Sequence, residues 1–244
     1  MTSPALRSTL LFALPALLIG LGAGWWLQGR SALGAGDRAA MESVVHDYIL
    51  DHPEILPEAM DRLQARENQA RIAPMRGALE TPFPGAVLGN PQGKVTLVEF
   101  TDFACTYCRK SVADVAALIR ANPDLRVVVR ELPIIAPESE PAARMGLAAA
   151  AQGKYAAFHQ AMFSGARPSS ESIAAAARAA GVDLAAAQTF AARGDVQQEL
   201  ERNLGFARQL GINGTPAWLI GKDMIAGAVG PERLQQAIDA ARKG

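Results

Sequence analysis

The chain has 244 residues with 24 basic and 24 acidic side chains, and hydrophobic residues make up 50% of it. Zero net charge argues against the basic surface of a nucleic-acid binder, and the apolar content excludes a disordered chain. Its two cysteines, Cys105 and Cys108, are too few for a disulfide-rich scaffold or a cysteine-rich zinc module.

The N-terminal segment, residues 1–36, predicts export. Residues 8–29 carry no charge, and their apolar core is long enough, at ~1.5 Å per residue, to cross a bilayer. Two interpretations stay open: a signal anchor, favoured by the length and by Trp25 and Trp26, or a signal peptide cleaved near Gly34. Either one delivers the rest to an oxidising compartment such as the periplasm. An anchored chain would stay tethered to the inner membrane and face outward, whereas a cleaved one would be soluble there.

Residues 37–80 predict a helical extension. Apolar residues at helical spacing form one stripe before Pro53 and another after it, so we expect two helices that meet near His52. Two short helices cannot enclose a core of their own. Their stripes, within residues 41–71, must therefore pack against other copies of the chain or against the following domain. A homo-oligomer with closed symmetry is the simpler solution.

Residues 81–244 predict one α/β domain. Proline and glycine at 74–93 indicate a linker or extended lead-in. Strand, helix and strand then alternate, which indicates a parallel pair with a right-handed crossover. The alanine-rich stretch from about 138 to 194 predicts an all-α insertion. The remaining elements, in chain order, are strand 94–100, helix 106–122, strand 126–131, helix 195–210, hairpin strands 217–220 and 224–226, and a helix from Pro231.

Cys105 and Cys108 stand three residues apart, where a helix begins directly after a strand. This spacing places both sulfurs on one side of the first helical turn, and the helix N-terminus favours the thiolate of the first. The pattern predicts thiol–disulfide exchange, with Cys105 as nucleophile and a buried Cys108 that resolves the mixed disulfide. Arg109 and Lys110 either strengthen the positive field or form the solvated face of the helix.

Cysteine pairs also occur in zinc sites, haem attachment motifs, structural disulfides and copper sites. A zinc site needs about four ligands, and the three histidines are distant in sequence. Haem attachment requires histidine at position 109, which is Arg109. A purely structural disulfide stays open for an exported protein. The main alternative function is a non-catalytic, membrane-tethered copper-handling or adaptor protein that uses both cysteines as metal ligands.

The segment from Val98 to Cys108 resembles the active-site region of the DsbA-like thioredoxin-fold oxidoreductases. The likeness covers about residues 86–244, continuing through Glu131-Leu-Pro-Ile134, residues 142–163 and Gly214-Thr-Pro-Ala217. Residues 45–68 resemble the N-terminal extension of the ScsC-like branch, which includes dimeric and trimeric proteins. The resemblance implies a thioredoxin fold with a helical insertion, and no cofactor beyond the redox-active cysteine pair.

The resemblance also implies roles for three supporting residues. Glu99 would be a buried acid that relays protons to the resolving thiol, although an acid paired with lysine or water is the alternative reading. Thr215 would offer its backbone to an extended client peptide, and Pro216 would be cis and face the cysteines. Thr106 departs from the glycine or proline common in relatives, which leaves oxidase, isomerase and reductase directions open. Implied partners are cysteine-containing exported clients and a membrane redox partner.

Overall fold

The computed structural model describes residues 35–243, and the predicted export segment lies outside them except for its last two residues. Within residues 35–243, no helix is both long and apolar enough to cross a membrane. Internal contacts divide the chain into two units, the first ending at Asp61 and the second beginning at Arg62.

The first unit contains helix α1 (Ala35–Asp51) and the start of helix α2 (Ile55–Ile72). The two helices are separated at Pro53, which has no backbone N–H to continue α1. Among the described residues of this unit, seven large apolar side chains expose more than half of their surface: Met41, Val44, Val45, Tyr48, Leu50, Leu56 and Met60. The apolar stripes expected from the sequence are therefore present and uncovered in the single chain.

The second unit begins inside α2, earlier than the boundary at residue 80 predicted from the sequence. Ile72 and Leu79 are the reason, because both are buried in one cluster with Phe100 of the sheet. Leu79 belongs to a short helix, α3 (Arg76–Glu80), which follows a 3₁₀ turn at Ala73–Met75. The proline-rich stretch at 74–93, expected to be a linker or an extended lead-in, is thus part of the second unit.

A five-stranded mixed sheet is the centre of this unit, with the order β1-β3-β2-β4-β5. Its strands are β1 (Val87–Gly89), β2 (Val95–Thr101), β3 (Leu125–Glu131), β4 (Ala217–Ile220) and β5 (Asp223–Ala226). The predicted parallel pair is β2 and β3, joined through helix α4 (Thr106–Ala121), while the other pairs are antiparallel. Strand β1 was not predicted, since three residues are too few to show an alternating pattern.

Six further helices complete the unit. The alanine-rich insertion forms four of them, and one helix on each side of the C-terminal hairpin follows. They are α5 (Ser139–Ala151), α6 (Tyr155–Ser164), α7 (Ser170–Ala179), α8 (Leu184–Ala191), α9 (Gly194–Leu210) and α10 (Pro231–Lys243). The insertion packs over the start of α4, and one cluster of buried side chains contains Phe103, Phe158, Met162 and both cysteines.

Strand β3 ends with two buried charged residues that point to opposite faces of the sheet, since side chains alternate along a strand. Arg130 forms an ion pair with Glu199 at 2.6 Å between its Nη1 and the carboxylate Oε1. It also donates hydrogen bonds to the carbonyl oxygens of Leu79 and Thr81. Arg130 therefore fastens the end of α3 to the sheet and to α9. Glu131 faces the other way, towards the cysteine side.

Candidate redox site

Cys105 is the N-cap of α4, so its sulfur lies at the positive end of the helix. Its Sγ accepts a hydrogen bond from the backbone N–H of Cys108 at 3.2 Å. The same sulfur lies 3.2 Å from the carbonyl oxygen of Thr215, to which the thiol form donates. Both cysteines are free thiols in this structure.

The two thiols have opposite electrostatic environments. The pKa of Cys105 is lowered from 9.0 to about 6, first by the Cys108 side chain, and the backbone N–H groups of Cys108 and Tyr107 lower it further against the opposing effect of burial. The pKa of Cys108 is raised far above its ordinary value, first by burial and then by its role as donor to Cys105. These shifts favour the thiolate form of Cys105 and the protonated thiol form of Cys108 at pH 7.

Thr215 and Pro216 come to the site from the other end of the sequence, immediately before β4. The Thr215–Pro216 peptide bond is cis. Ala217 then pairs with Phe100 of β2, which places the Thr215 carbonyl beside the helix that begins at Cys105. The structure therefore brings Thr215 and Pro216, which the sequence singled out, next to the cysteine pair.

Glu99 is buried on β2, six residues before Cys105. Its pKa is raised from 4.5 to about 8, first by burial and then by the charge of the Cys105 thiolate. Its Oε2 atom has no hydrogen-bond partner among the described residues. Among the described residues no lysine pairs with Glu99, and its burial beside Cys105 favours the form that holds a proton.

Asp102 holds the turn before Cys105, and sequence reasoning did not identify it. One carboxylate oxygen accepts the N–H of Ala104 at 2.8 Å, the local hydrogen bond of an Asx turn. The other accepts the N–H groups of Ile134 and Ile135 at 2.8 and 2.9 Å. Asp102 thus ties the redox turn to the loop after β3. The Asx turn was readable from an aspartate just before the cysteine turn, but the second contact was not.

Glu131 and Tyr155 form a second buried polar pair that sequence reasoning missed. The Tyr155 hydroxyl donates to Glu131 Oε1 at 2.6 Å, and Glu131 Oε2 has no partner among the described residues. Burial, followed by the hydrogen bond and charge of Glu131, raises the pKa of Tyr155, while burial raises that of Glu131 in spite of the tyrosine hydrogen bond. Glu131 lies opposite Thr101 in the parallel register, on the same face of the sheet as Glu99.

Two further side chains near the site have structural roles. His159 is buried, with its ring 6.0 Å from that of Phe103, and burial lowers its pKa to about 4. Arg109 is half-buried and makes a structural contact that neither sequence expectation included. Its guanidinium donates to the carbonyl oxygens of Phe163 and Gly165, and so fastens α4 to the insertion.

Comparison with known proteins adds to this geometry. Residues 96–239, more than half of the chain, match the DSBA-like thioredoxin domain family. The chain belongs to the DsbA-like thioredoxin family. Residues 37–70 match the Copper resistance protein ScsC N-terminal domain, so both parts of the resemblance read from the sequence are confirmed. The predicted thioredoxin-like α/β fold is confirmed as well.

Three solved structures illustrate the likeness. A thioredoxin-like oxidoreductase from Silicibacter pomeroyi DSS-3 is 41% identical, with a TM-score of 0.62, over 65% of this chain and 92% of that one. A linker-deletion mutant of Proteus mirabilis ScsC is 26% identical, with a TM-score of 0.67, over 87% and 98%. A periplasmic thioredoxin-like protein from Salmonella enterica serovar Typhimurium is 27% identical, with a TM-score of 0.63, over 70% and 97%.

One curated relative is much longer than this chain. The Na(+)/H(+) antiporter NhaA of Herminiimonas arsenicoxydans is 30% identical over 164 residues, which are 65% of this chain and 26% of that protein. The chain therefore spans about a quarter of the length of the curated relative it matches.

Proposed function

We propose that this chain is an exported thiol–disulfide oxidoreductase that exchanges disulfides with cysteines of other extracytoplasmic proteins. The observation that carries the proposal is the opposite displacement of the two thiol pKa values, down for Cys105 and up for Cys108. A structural disulfide needs no such asymmetry, whereas exchange needs one nucleophilic thiolate and one thiol held in reserve.

The exchange proceeds in two balanced steps. The Cys105 thiolate attacks a client disulfide, an S–S bond to Cys105 forms, and one client sulfur leaves as a thiolate. The sulfur of Cys108 then attacks Cys105 Sγ, the second client thiolate leaves, and the Cys108 proton passes to the Glu99 carboxylate. The client gains two electrons and the cysteine pair becomes a disulfide. The reverse sequence oxidises a client dithiol.

Glu99 suits this proton transfer because its affinity for a proton follows the charge on Cys105. Burial is the main cause of the raised pKa of Glu99, and the Cys105 thiolate raises it further, so the acid holds a proton while Cys105 is reduced. When Cys105 enters a mixed disulfide, the second contribution disappears and Glu99 releases its proton more readily. A larger fraction of Glu99 is then carboxylate, the form that accepts the proton from Cys108.

The direction of exchange that we favour is isomerisation by a self-associated protein. The exposed apolar stripe on α1 and α2 needs a cover, and other copies of the same stripe provide one. Several Cys105 sites gathered around one misfolded client raise the local concentration of nucleophile. Such an assembly also obstructs a membrane oxidase, and a membrane electron donor would keep the thiols reduced. Localisation in the periplasm, with or without a tether, is part of this proposal.

Self-association can be tested without disturbing the thioredoxin core. A truncation at residue 80 would remove Ile72 and Leu79 from the core, so charged substitutions are the better perturbation. In a chain of residues 37–244, we expect Val45→Glu combined with Tyr48→Glu to convert an oligomer into a monomer in light scattering. Both side chains are more than half exposed, so folding should be little affected.

The matched control is Val229→Glu, which places the same charge at an exposed apolar position near α10. We expect the double variant to keep dithiol reductase activity and to lose most activity on scrambled ribonuclease, while the control keeps both. A monomeric parent would refute the isomerase proposal and favour an oxidase. Stoichiometric retention of Cu(I) without any dithiol reductase activity would favour the copper-handling alternative instead.

A further inference from the structure

A small apolar pocket lies beside the redox turn and has no role in the exchange chemistry described above. It encloses about 130 Å³ between the loop that follows β3 and helix α9. Its apolar wall includes Leu132 and Ile134 from the loop and Leu200 and Leu204 from the helix. Ile134 and Leu204 are 41% and 37% exposed, so the pocket opens to solvent through two aliphatic side chains.

Asp102 fixes the position of this pocket relative to Cys105. Its backbone carbonyl accepts the N–H of Cys105 at 2.9 Å, which closes a four-residue turn. Its carboxylate accepts the N–H of Ile134 at 2.8 Å. A turn of this kind spans less than about 7 Å between its end Cα atoms, and the Asp102 side chain with its hydrogen bond adds several more, so the Ile134 backbone lies within roughly 13 Å of Cys105. An extended peptide rises ~3.3 Å per residue, so a client residue about three positions from the cysteine covers most of this distance.

The rim of the pocket is acidic. Glu140 and Glu201 both line it, and none of the lining residues is basic. Glu140 is paired with Arg144, whereas Glu201 accepts only the side-chain amide of Gln197 among the residues that the structure describes. Arg144 also donates to the Gln197 amide oxygen, so its charge stands one side chain behind Glu201. Glu201 nevertheless presents a carboxylate without an ion pair among the described residues next to an aliphatic cavity, a combination that complements an apolar side chain with a basic neighbour.

We propose that this pocket is a client-recognition subsite, which takes one aliphatic side chain flanked by a lysine or arginine, about three residues from the client cysteine that reaches Cys105. The inference rests on the proposed exchange function and adds sequence preference to it. The apolar wall contributes affinity by excluding water from the client side chain, and Glu201 favours basic flanks over acidic ones.

The test uses the reduced full chain and two peptides whose cysteine is held in a disulfide. The two peptides have the same sequence except at the dipeptide three residues from the cysteine, which is Leu-Arg in one and Ala-Ala in the other. We expect KM for the Leu-Arg peptide to be about tenfold lower, with kcat unchanged. Leu204→Ser and Glu201→Lys should each remove most of that preference, and Glu201→Lys should reverse the choice between Leu-Arg and Leu-Glu. Both side chains lie on the open side of α9, so neither substitution empties the core.

Two controls separate the subsite from general effects. Val229→Ser and Glu232→Lys make the same changes near α10, away from the pocket, and should leave the preference intact. Oxidised glutathione, which has no aliphatic side chain to fill the pocket, should react equally with every variant.

Failure of the exchange proposal gives a different result from failure of the subsite. Without exchange activity, oxidised glutathione would not react with the parent chain, but NMR titration with a Leu-Arg peptide in which serine replaces cysteine would still detect the pocket. Equal KM values for the two peptides, or loss of preference in Val229→Ser as well, would overturn the subsite proposal. No shift at the pocket in the titration would also overturn it.

Discussion

Glu99→Gln isolates the energetic cost of the buried acid beneath the cysteines. The folded protein holds a proton on Glu99 up to about pH 8, while the unfolded chain releases it near 4.5. Between these values, the free energy of unfolding falls by ~1.4 kcal/mol for each pH unit. The total loss attributable to Glu99 is up to about 5 kcal/mol, since the displacement is from 4.5 to about 8.

The sign of this effect follows from the raised pKa. The contribution of Glu99 is fully present below pH 4.5 and is lost as the pH rises towards 8. Glutamine keeps the shape of the neutral acid and does not titrate. We therefore expect the reduced Glu99→Gln variant to gain stability relative to the parent, steadily, from pH 5 to pH 8. Urea unfolding followed by circular dichroism at each pH measures the difference directly.

A background without the Cys105 charge provides the control. The thiolate is the second cause of the Glu99 shift, so the pH-dependent difference should shrink when both proteins also carry Cys105→Ser. A difference between parent and variant that stays constant from pH 5 to pH 8 would refute the reasoning, because Glu99 would then titrate alike in the folded and unfolded chains.

Three further predictions concern the exchange mechanism and the packing around it. Cys108→Ser should accumulate mixed disulfides with client proteins on non-reducing gels, whereas Cys105→Ser should not; equal trapping by both would reverse the assignment. Gly146→Ala should lower the free energy of unfolding by about 1–3 kcal/mol, since the new Cβ would lie 3.3 Å from the buried side chains of Glu131 and Phe103. Gly205→Ala is the control: its Cβ would meet nothing within 4 Å, so the free energy of unfolding should rise by up to ~1 kcal/mol. Arg130→Met should lower the free energy of urea unfolding by up to about 3–5 kcal/mol, because it removes the buried partner of Glu199 Oε1 and the donor to the Leu79 and Thr81 carbonyls, and leaves Glu199 only its ion pair with Arg202.

Local patterns predicted most of the thioredoxin domain. The apolar run before Cys105, the helix after it and the Thr215–Pro216 turn before a short hairpin each carry a strong local signal, and the structure has each of those elements. The same patterns indicated which thiol is the nucleophile, because a helix N-terminus acts on the residue that begins it.

Features that depend on packing between distant segments were not predictable in the same way. Arg130 and Glu131 are adjacent in sequence yet serve opposite faces of the sheet, and their partners Glu199 and Tyr155 come from different helices. Ile72, which lies before the expected linker, belongs to the sheet core. Alternation along a strand predicts that such neighbours diverge, but only the assembled fold decides which partner each one meets.

The reduction equilibrium of the Cys105–Cys108 pair tests the central claim most directly. The chain would be equilibrated in glutathione buffers of graded potential and its thiols trapped with a mass-shifting alkylating agent. The stabilised Cys105 thiolate favours the reduced form, so we expect a reversible two-electron curve with a midpoint less negative than the ~−270 mV of thioredoxin. Failure of the pair to form its disulfide at any potential, or a midpoint at or below that value, would contradict the account.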